Sequence, residues 1–224
     1  MNNYRKRAAL FLTSQGITLF GSSLVQFAMI WYVTMQTSSG VWVSAMTVAA
    51  YLPQFLISFL SGVWADRYSH KKLIILSDAL IAAATLLLAV LFPQIPGGTP
   101  VLLSCVVISA IRSVGTGIQT PAVNAAIPWL VPEDKLMKFN GINSTVQSLV
   151  QFAAPAAAGA LLSWGTLRAD LMIDIATAVV GIGILSAVAI PFEKREHAPS
   201  MWTEMKIGIQ YAVKEAFIGR LLLV

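Results

Sequence analysis

The chain has 224 residues, of which 57% are hydrophobic and only 11% are Asp, Glu, Lys or Arg. Soluble domains average about 25% charged residues, so a water-facing globule of this size is excluded and the missing solvent is lipid. The formal net charge of +5 does not point to nucleic acid. The basic residues fall in short clusters between apolar runs, the arrangement by which a membrane protein fixes its orientation.

Tyr4-Arg5-Lys6-Arg7 precedes a run without a single charge from Ala8 to Ala65. That is far longer than the roughly 7–15 apolar residues of a secretory leader and holds two spans of about 20 residues each. Ala79–Ile111 is likewise free of charge. With charges and Gly, Pro and Asn taken as breakers, helices are expected near Ala8–Met35, Val41–Val63, Leu73–Phe92, Val101–Ala122, Gly141–Trp164 and Leu171–Pro191. The fold class is therefore all-α, a six-helix transmembrane bundle over residues 1–192. An N-terminus in the cytoplasm puts Arg5–Arg7, Arg67, Lys71, Lys72, Lys135, Lys138 and every basic residue after Pro191 inside, with Arg168 alone outside. Residues 193–220 are polar, with Met201, Met205, Ile209 and Val213 at helical spacing, and read as an amphipathic cytoplasmic linker. Residues 221–224 then open a further apolar run, read as the truncated start of a seventh span. On that reading the chain is a fragment or one half of a longer protein.

Few polar residues lie inside the spans. Arg112 stands near the middle of the fourth, where insertion costs about 2.5–3.5 kcal/mol, so it needs a partner or a water-filled cavity. The available carboxylates are Asp78, one and a half turns from the cytoplasmic end of the third helix, and Asp174, one turn from the outer end of the sixth. Either could face the bundle interior as a proton or cation site. Asp170, close to Arg168, is expected to be interfacial and solvated. Asn143, Gln147 and Gln151 recur every four residues on the fifth helix; with Gln26 they suit either a substrate cavity or bonds between helices. Ala153–Ala160, broken by Pro155, suits close helix packing. There is no Gly-rich loop ending in Gly-Lys-Ser/Thr, and two His and one Cys make no metal site, so no enzyme activity, cofactor or metal is expected.

The most specific motif is Gly62-Val63-Trp64-Ala65-Asp66-Arg67-Tyr68-Ser69-His70-Lys71-Lys72. It resembles the signature loop of the major facilitator superfamily, with Gly62, Asp66, Arg67 and Lys71 in register, Ser69 in place of the second Gly and His70 in place of a basic residue. The resemblance implies a conformational latch between two halves. Gly62 is expected to allow close helix approach, Asp66 to cap a helix or pair with Arg67 or Lys71, and His70 to be solvated. Arg112-Ser113-Val114-Gly115-Thr116-Gly117 resembles the fourth-helix arginine motif of proton-coupled members. Gly141, Pro155 and Gly159 resemble a worn form of the fifth-helix antiporter motif.

These resemblances imply the N-terminal half of a twelve-helix transporter, similar to the macrolide-efflux branch of the superfamily. The implied function is proton-coupled export of amphipathic small molecules from the plasma (inner) membrane. The implied partners are a small-molecule substrate, protons, the lipid bilayer and a missing C-terminal six-helix half, and no nucleic acid. Export or import of a siderophore or other metabolite, and a non-transporting membrane interaction module, are the alternatives.

Overall fold

The computed structural model describes residues 3–191; the expected linker at 193–220 and the start of a seventh span at 221–224 lie outside them. The described residues are all-helical: α1 (Asn3–Thr37), α2 (Gly40–Arg67), α3 (His70–Leu91), α4 (Thr99–Leu130), α5 (Leu136–Trp164) and α6 (Leu167–Ala187), with two single 3₁₀ turns at Phe92–Gln94 and Glu133–Lys135. All six helices are long and apolar enough to cross a membrane.

Several helix ends differ from expectation, for identifiable reasons. α1 is already helical at Asn3, the first described residue, rather than from Ala8, because Arg5, Lys6 and Arg7 are good helix formers that need not enter the hydrocarbon. α4 runs on through Pro121 and Pro128 to Leu130, since neighbouring helices tolerate prolines in membrane helices that would end a soluble one. α5 begins at Leu136, directly after a turn led by Pro132. α6 begins at Leu167, and stops at Ala187 where Val188 turns extended.

The packing has an internal symmetry. α4 lies against α2 and α3 as α1 lies against α5 and α6, and α3 meets α6 between them. Exchanging α1–α3 with α4–α6 reproduces this pattern. Because three spans are an odd number, the second unit enters the membrane in the opposite sense, as inverted repeats do.

Between lipid tails there is no hydrophobic drive to bring helices together, so association rests on close packing and polar contacts. The buried interior is layered accordingly. One apolar cluster, with Leu24, Met29, Met46, Leu88, Leu102 and Leu171, fills one end of the bundle. A second, with Phe11, Ile74, Ala126, Leu130 and Leu185, fills the other. Between them lie Ser14, Thr18, Ser77, Asp78, Thr85, Arg112, Ser113 and Asp174, all buried. The bundle is greasy at both ends and polar in the middle.

Candidate transport site

The polar layer is built on two antiparallel helices with matched spacing. Arg112 and Gln119 are seven residues apart on α4, and Asp78 and Thr85 are seven apart on α3. Two turns of helix bring each pair back to one face, so the two helices meet at two rungs.

The first rung centres on Arg112, whose side chain is almost wholly buried. Its Nη1 donates to Asp174 Oδ2 on α6 and to the Thr85 hydroxyl on α3. Its Nη2 donates to the Ser22 carbonyl and hydroxyl oxygens on α1, both at 3.0 Å. Thr85 in turn donates to Asp174 Oδ2 at 2.7 Å. One cation thus joins four helices. A buried ion pair depends on further hydrogen bonds to its remaining groups; Thr85 and Ser22 supply them to the two Nη atoms, while Arg112 Nε is buried without a partner.

The second rung is Gln119 Nε2 donating to Asp78 Oδ1 at 2.7 Å. The other oxygen, Asp78 Oδ2, is buried without a hydrogen-bond partner. Of the two carboxylates open to Arg112, Asp174 is its partner, and Asp78 lies one rung away. Asp170 departs from expectation. It is fully buried, and neither carboxylate oxygen has a partner. The reason is register: Leu167, Asp170, Leu171, Asp174, Ala178, Gly181 and Leu185 form one continuous buried stripe on α6.

The residues after Arg112 lock α4 to its neighbours. Immediately after Pro53, which interrupts the hydrogen bonding of α2, the Gln54 N–H donates to the Ser113 hydroxyl at 2.8 Å. Ser61 donates to the Gly117 carbonyl at 2.7 Å. A Cβ on Gly117 would lie 2.8 Å from the Gln54 carbonyl oxygen, and one on Gly115 would lie 2.6 Å from Ile81 Cγ1 on α3. These two glycines set how closely α2 and α3 approach α4.

The signature motif is folded differently from a loop. Gly62–Arg67 form the last turns of α2, only Tyr68 and Ser69 connect, and His70 already begins α3. Gly62 is exposed with open space around its Cβ position. The close approach to α4 is made instead by the neighbouring Ser61, through its hydrogen bond to Gly117; Ala65, one turn on, is also buried. Asp66 is exposed. His70 is buried, its ring 6.2 Å from that of Trp129 on α4, because the short connection draws it into the end of the bundle. Lys71 reaches α6, donating from Nζ to the carbonyl oxygens of Ser186 at 2.7 Å and Val188 at 2.9 Å. Those carbonyls belong to a helix end that lacks intrahelical donors, and a cation there also complements the helix dipole.

A groove of about 920 Å³ lies elsewhere, with α1 as its floor, α5 as one wall and Thr177 of α6 on the other. Arg5, Lys135 and Lys138 stand at one end, and Leu12, Ile17, Phe20, Ile142 and Val146 line the rest.

Residues 11–222 match the Major Facilitator Superfamily. This chain belongs to that superfamily. Macrolide efflux protein A of Streptococcus pyogenes is 33% identical over 192 residues, covering 85% of this chain and 46% of that protein. The protein of the same name from Enterococcus faecalis is 34% identical over 151 residues, 66% of this chain and 45% of its own. The Staphyloferrin A transporter of Staphylococcus aureus is 24% identical over 157 residues, 68% of this chain and 38% of its own. The chain therefore spans about half the length of the curated relatives it matches.

Among the remaining superfamily-motif positions, Gly141 is exposed and Gly159 half-buried, and a Cβ at either would meet nothing within 4 Å. Pro155 lies inside α5 and is half-buried, while Val150, Ala154 and Ala158 are buried. On the polar stripe of α5, Asn143 is buried, Gln147 half-buried and Gln151 exposed. Gln26 is engaged with Ser109 of α4, donating from Nε2 at 3.0 Å. The structure thus unites Arg112, Asp174 and Asp78 in one layer and leaves Gly141, Gly159 and Gln151 unpacked. The parts that composition and spacing did not single out are Thr85, Ser22 and the burial of Asp170. The paired seven-residue spacing on α3 and α4 is a legible signal for Thr85; Ser22 carries none.

Proposed function

We propose that this chain forms the N-terminal half of a proton-coupled exporter of amphipathic small molecules such as macrolides, working by alternating access from the cell membrane. Its N-terminus lies in the cytoplasm, following the excess of Lys and Arg on that side. A second six-helix half supplies the opposite wall of the substrate cavity. The unpacked face of α5, with Gly141, Gly159, Gln147 and Gln151, is offered to that half and to the substrate; Pro155 shapes it, and Gln26 lies on the α1 side.

The observation that carries the reading is the Arg112 network. An ion pair that ties α1, α3, α4 and α6 together is a two-state element, because a proton on Asp174 converts a carboxylate into a neutral acid and weakens its hold on Arg112. The O–H bond formed at Asp174 on loading is broken again on release, so the cycle balances. Asp78, with one carboxylate oxygen free, is the next acceptor along the layer. The Gly62, Asp66, Arg67 and Lys71 motif latches this half, with Lys71 tying α3 to the end of α6.

In the full-length protein, Arg112→Ala is expected to abolish macrolide efflux at unchanged membrane abundance; wild-type efflux would overturn the role given to Arg112. Energised inside-out vesicles test direction, since substrate accumulation coupled to proton flux means export. The Staphyloferrin A transporter among the relatives favours a second reading, a metabolite carrier, which the same vesicles distinguish by cargo.

A further inference from the structure

The groove on α1 has no part in this transport reading. It lies on the far side of α1 from the Arg112 network: Phe20, in the groove, and Ser22, bonded to Arg112, are two residues apart and so about 200° apart around the helix. With α5 and Thr177 of α6 as its walls and no residue of α2, α3 or α4 in its lining, it lies apart from the polar layer.

Its polarity is divided along its length. Arg5, Lys135 and Lys138 cluster at one end with Tyr4, and no acidic residue is among those that line it. Tyr4 accepts a hydrogen bond from Arg5 Nε at 3.3 Å, which holds the guanidinium at the mouth. Lys135 pairs with Asp134 at 3.0 Å, but both side chains are substantially exposed, and such a surface pair is weak enough to be exchanged for a better anion. Beyond Ala9 the lining is almost entirely apolar, through Leu12, Ile17, Phe20, Ile142 and Val146. From Arg5 to Phe20 is fifteen residues, about 22 Å of helix. That equals one leaflet, half of a hydrocarbon core about 30 Å thick plus its headgroup layer.

We propose that the groove is a binding site for one anionic phospholipid. Its phosphate sits among Arg5, Lys135 and Lys138, and an acyl chain lies along α1 between Ile142 and Val146. Basic pockets between membrane helices hold anionic headgroups by the same electrostatics. The lipid fills a space that α5 leaves open against α1 and so steadies the contact between these two helices.

The test uses the full-length transporter, purified and placed in nanodiscs of phosphatidylglycerol and phosphatidylcholine, with retained lipid counted by native mass spectrometry. One phosphatidylglycerol is expected to be retained by the wild type. The variant carrying Arg5→Gln, Lys135→Gln and Lys138→Gln is expected to hold it at least about tenfold more weakly, and an Arg5→Lys, Lys138→Arg variant to retain it. Ile142→Trp, which fills the groove and keeps every charge, is also expected to lose it. Retention by either the triple variant or the filled variant overturns the site. In wild-type protein, photoactivatable phosphatidylglycerol is expected to label α1 and α5; labelling elsewhere, or a photo-crosslinker at Ile142 that captures another segment of the transporter, overturns it even if the variants misfold. None of these readouts depends on transport, so the lipid site and the export reading fail separately.

Discussion

The α2/α4 and α1/α5 seams occupy equivalent places in the two three-helix units, yet they are built on different principles. At α2/α4 the backbones touch: Gly117 sits under Gln54, Ser113 accepts the Gln54 N–H, and Ser61 donates to the Gly117 carbonyl. At α1/α5 the nearest glycine is Gly16, whose Cβ position is 3.2 Å from a single side-chain atom of Val146. The part of the seam from Tyr4 to Phe20 borders the groove, and only beyond it do Ala154 and Ala158 of α5 become fully buried. Small residues and paired polar groups draw membrane helices together, and only the first seam has both. One seam is a fixed joint. The other leaves room for an occupant.

If this contrast is real, substitutions on the α4 side should cost far more than matched ones on the α1 side. The largest effect belongs to the junction that the fixed seam supports. Asp174→Ala leaves Arg112 buried without its counter-charge and is expected to destabilise by about 3–5 kcal/mol, read as loss of folded protein in a detergent melt. Replacing both partners, by Arg112→Met with Asp174→Leu, should recover most of that stability without restoring transport. Next is Gly117→Ala, expected to cost about 1–3 kcal/mol because the new methyl meets backbone that cannot move aside. Ser113→Ala removes one bond between helices and is expected to cost about 1 kcal/mol, visible as faster hydrogen exchange at Gln54.

Lys71→Met should fray the end of α6 by about 0.3–1 kcal/mol, with exchange rising at its last turn. Smallest is Gly16→Ala, the counterpart of the Gly117 change. Val146 can yield by a few tenths of an ångström and alanine is the better helix former, so the melt should shift by less than about 0.5 kcal/mol. Equal costs for the two glycine substitutions would abolish the distinction between the seams.

The helices themselves were legible, because a charge-free stretch such as Ala8–Ala65 has no stable place except in lipid. Their ends were less so. The fourth helix is expected to end at Ala122, just past Pro121, but α4 runs on to Leu130 because a neighbour, Ser61 of α2, satisfies the Gly117 carbonyl that Pro121 frees. Gly62 matched a motif, yet its Cβ position meets open space while its neighbour Ser61 makes the contact with α4. One position along a helix is about 100° around it, and a motif does not say which side faces the partner. Asp170 looked interfacial from its distance to the helix end, but depth along the axis and burial against a neighbour are separate coordinates.

By itself, the sequence determined that the described stretch, residues 3–191, holds six apolar spans and that one of them carries an arginine in need of a partner. Those follow from composition, length and the cost of charge in hydrocarbon, which are properties of each segment alone. Only the tertiary structure decided that Asp174 rather than Asp78 answers Arg112, that Thr85 and Ser22 complete the network, and that α5 leaves a groove against α1. A side chain's partner is set by which helices are neighbours and how they are rotated, and that is information shared between segments rather than held by any one of them.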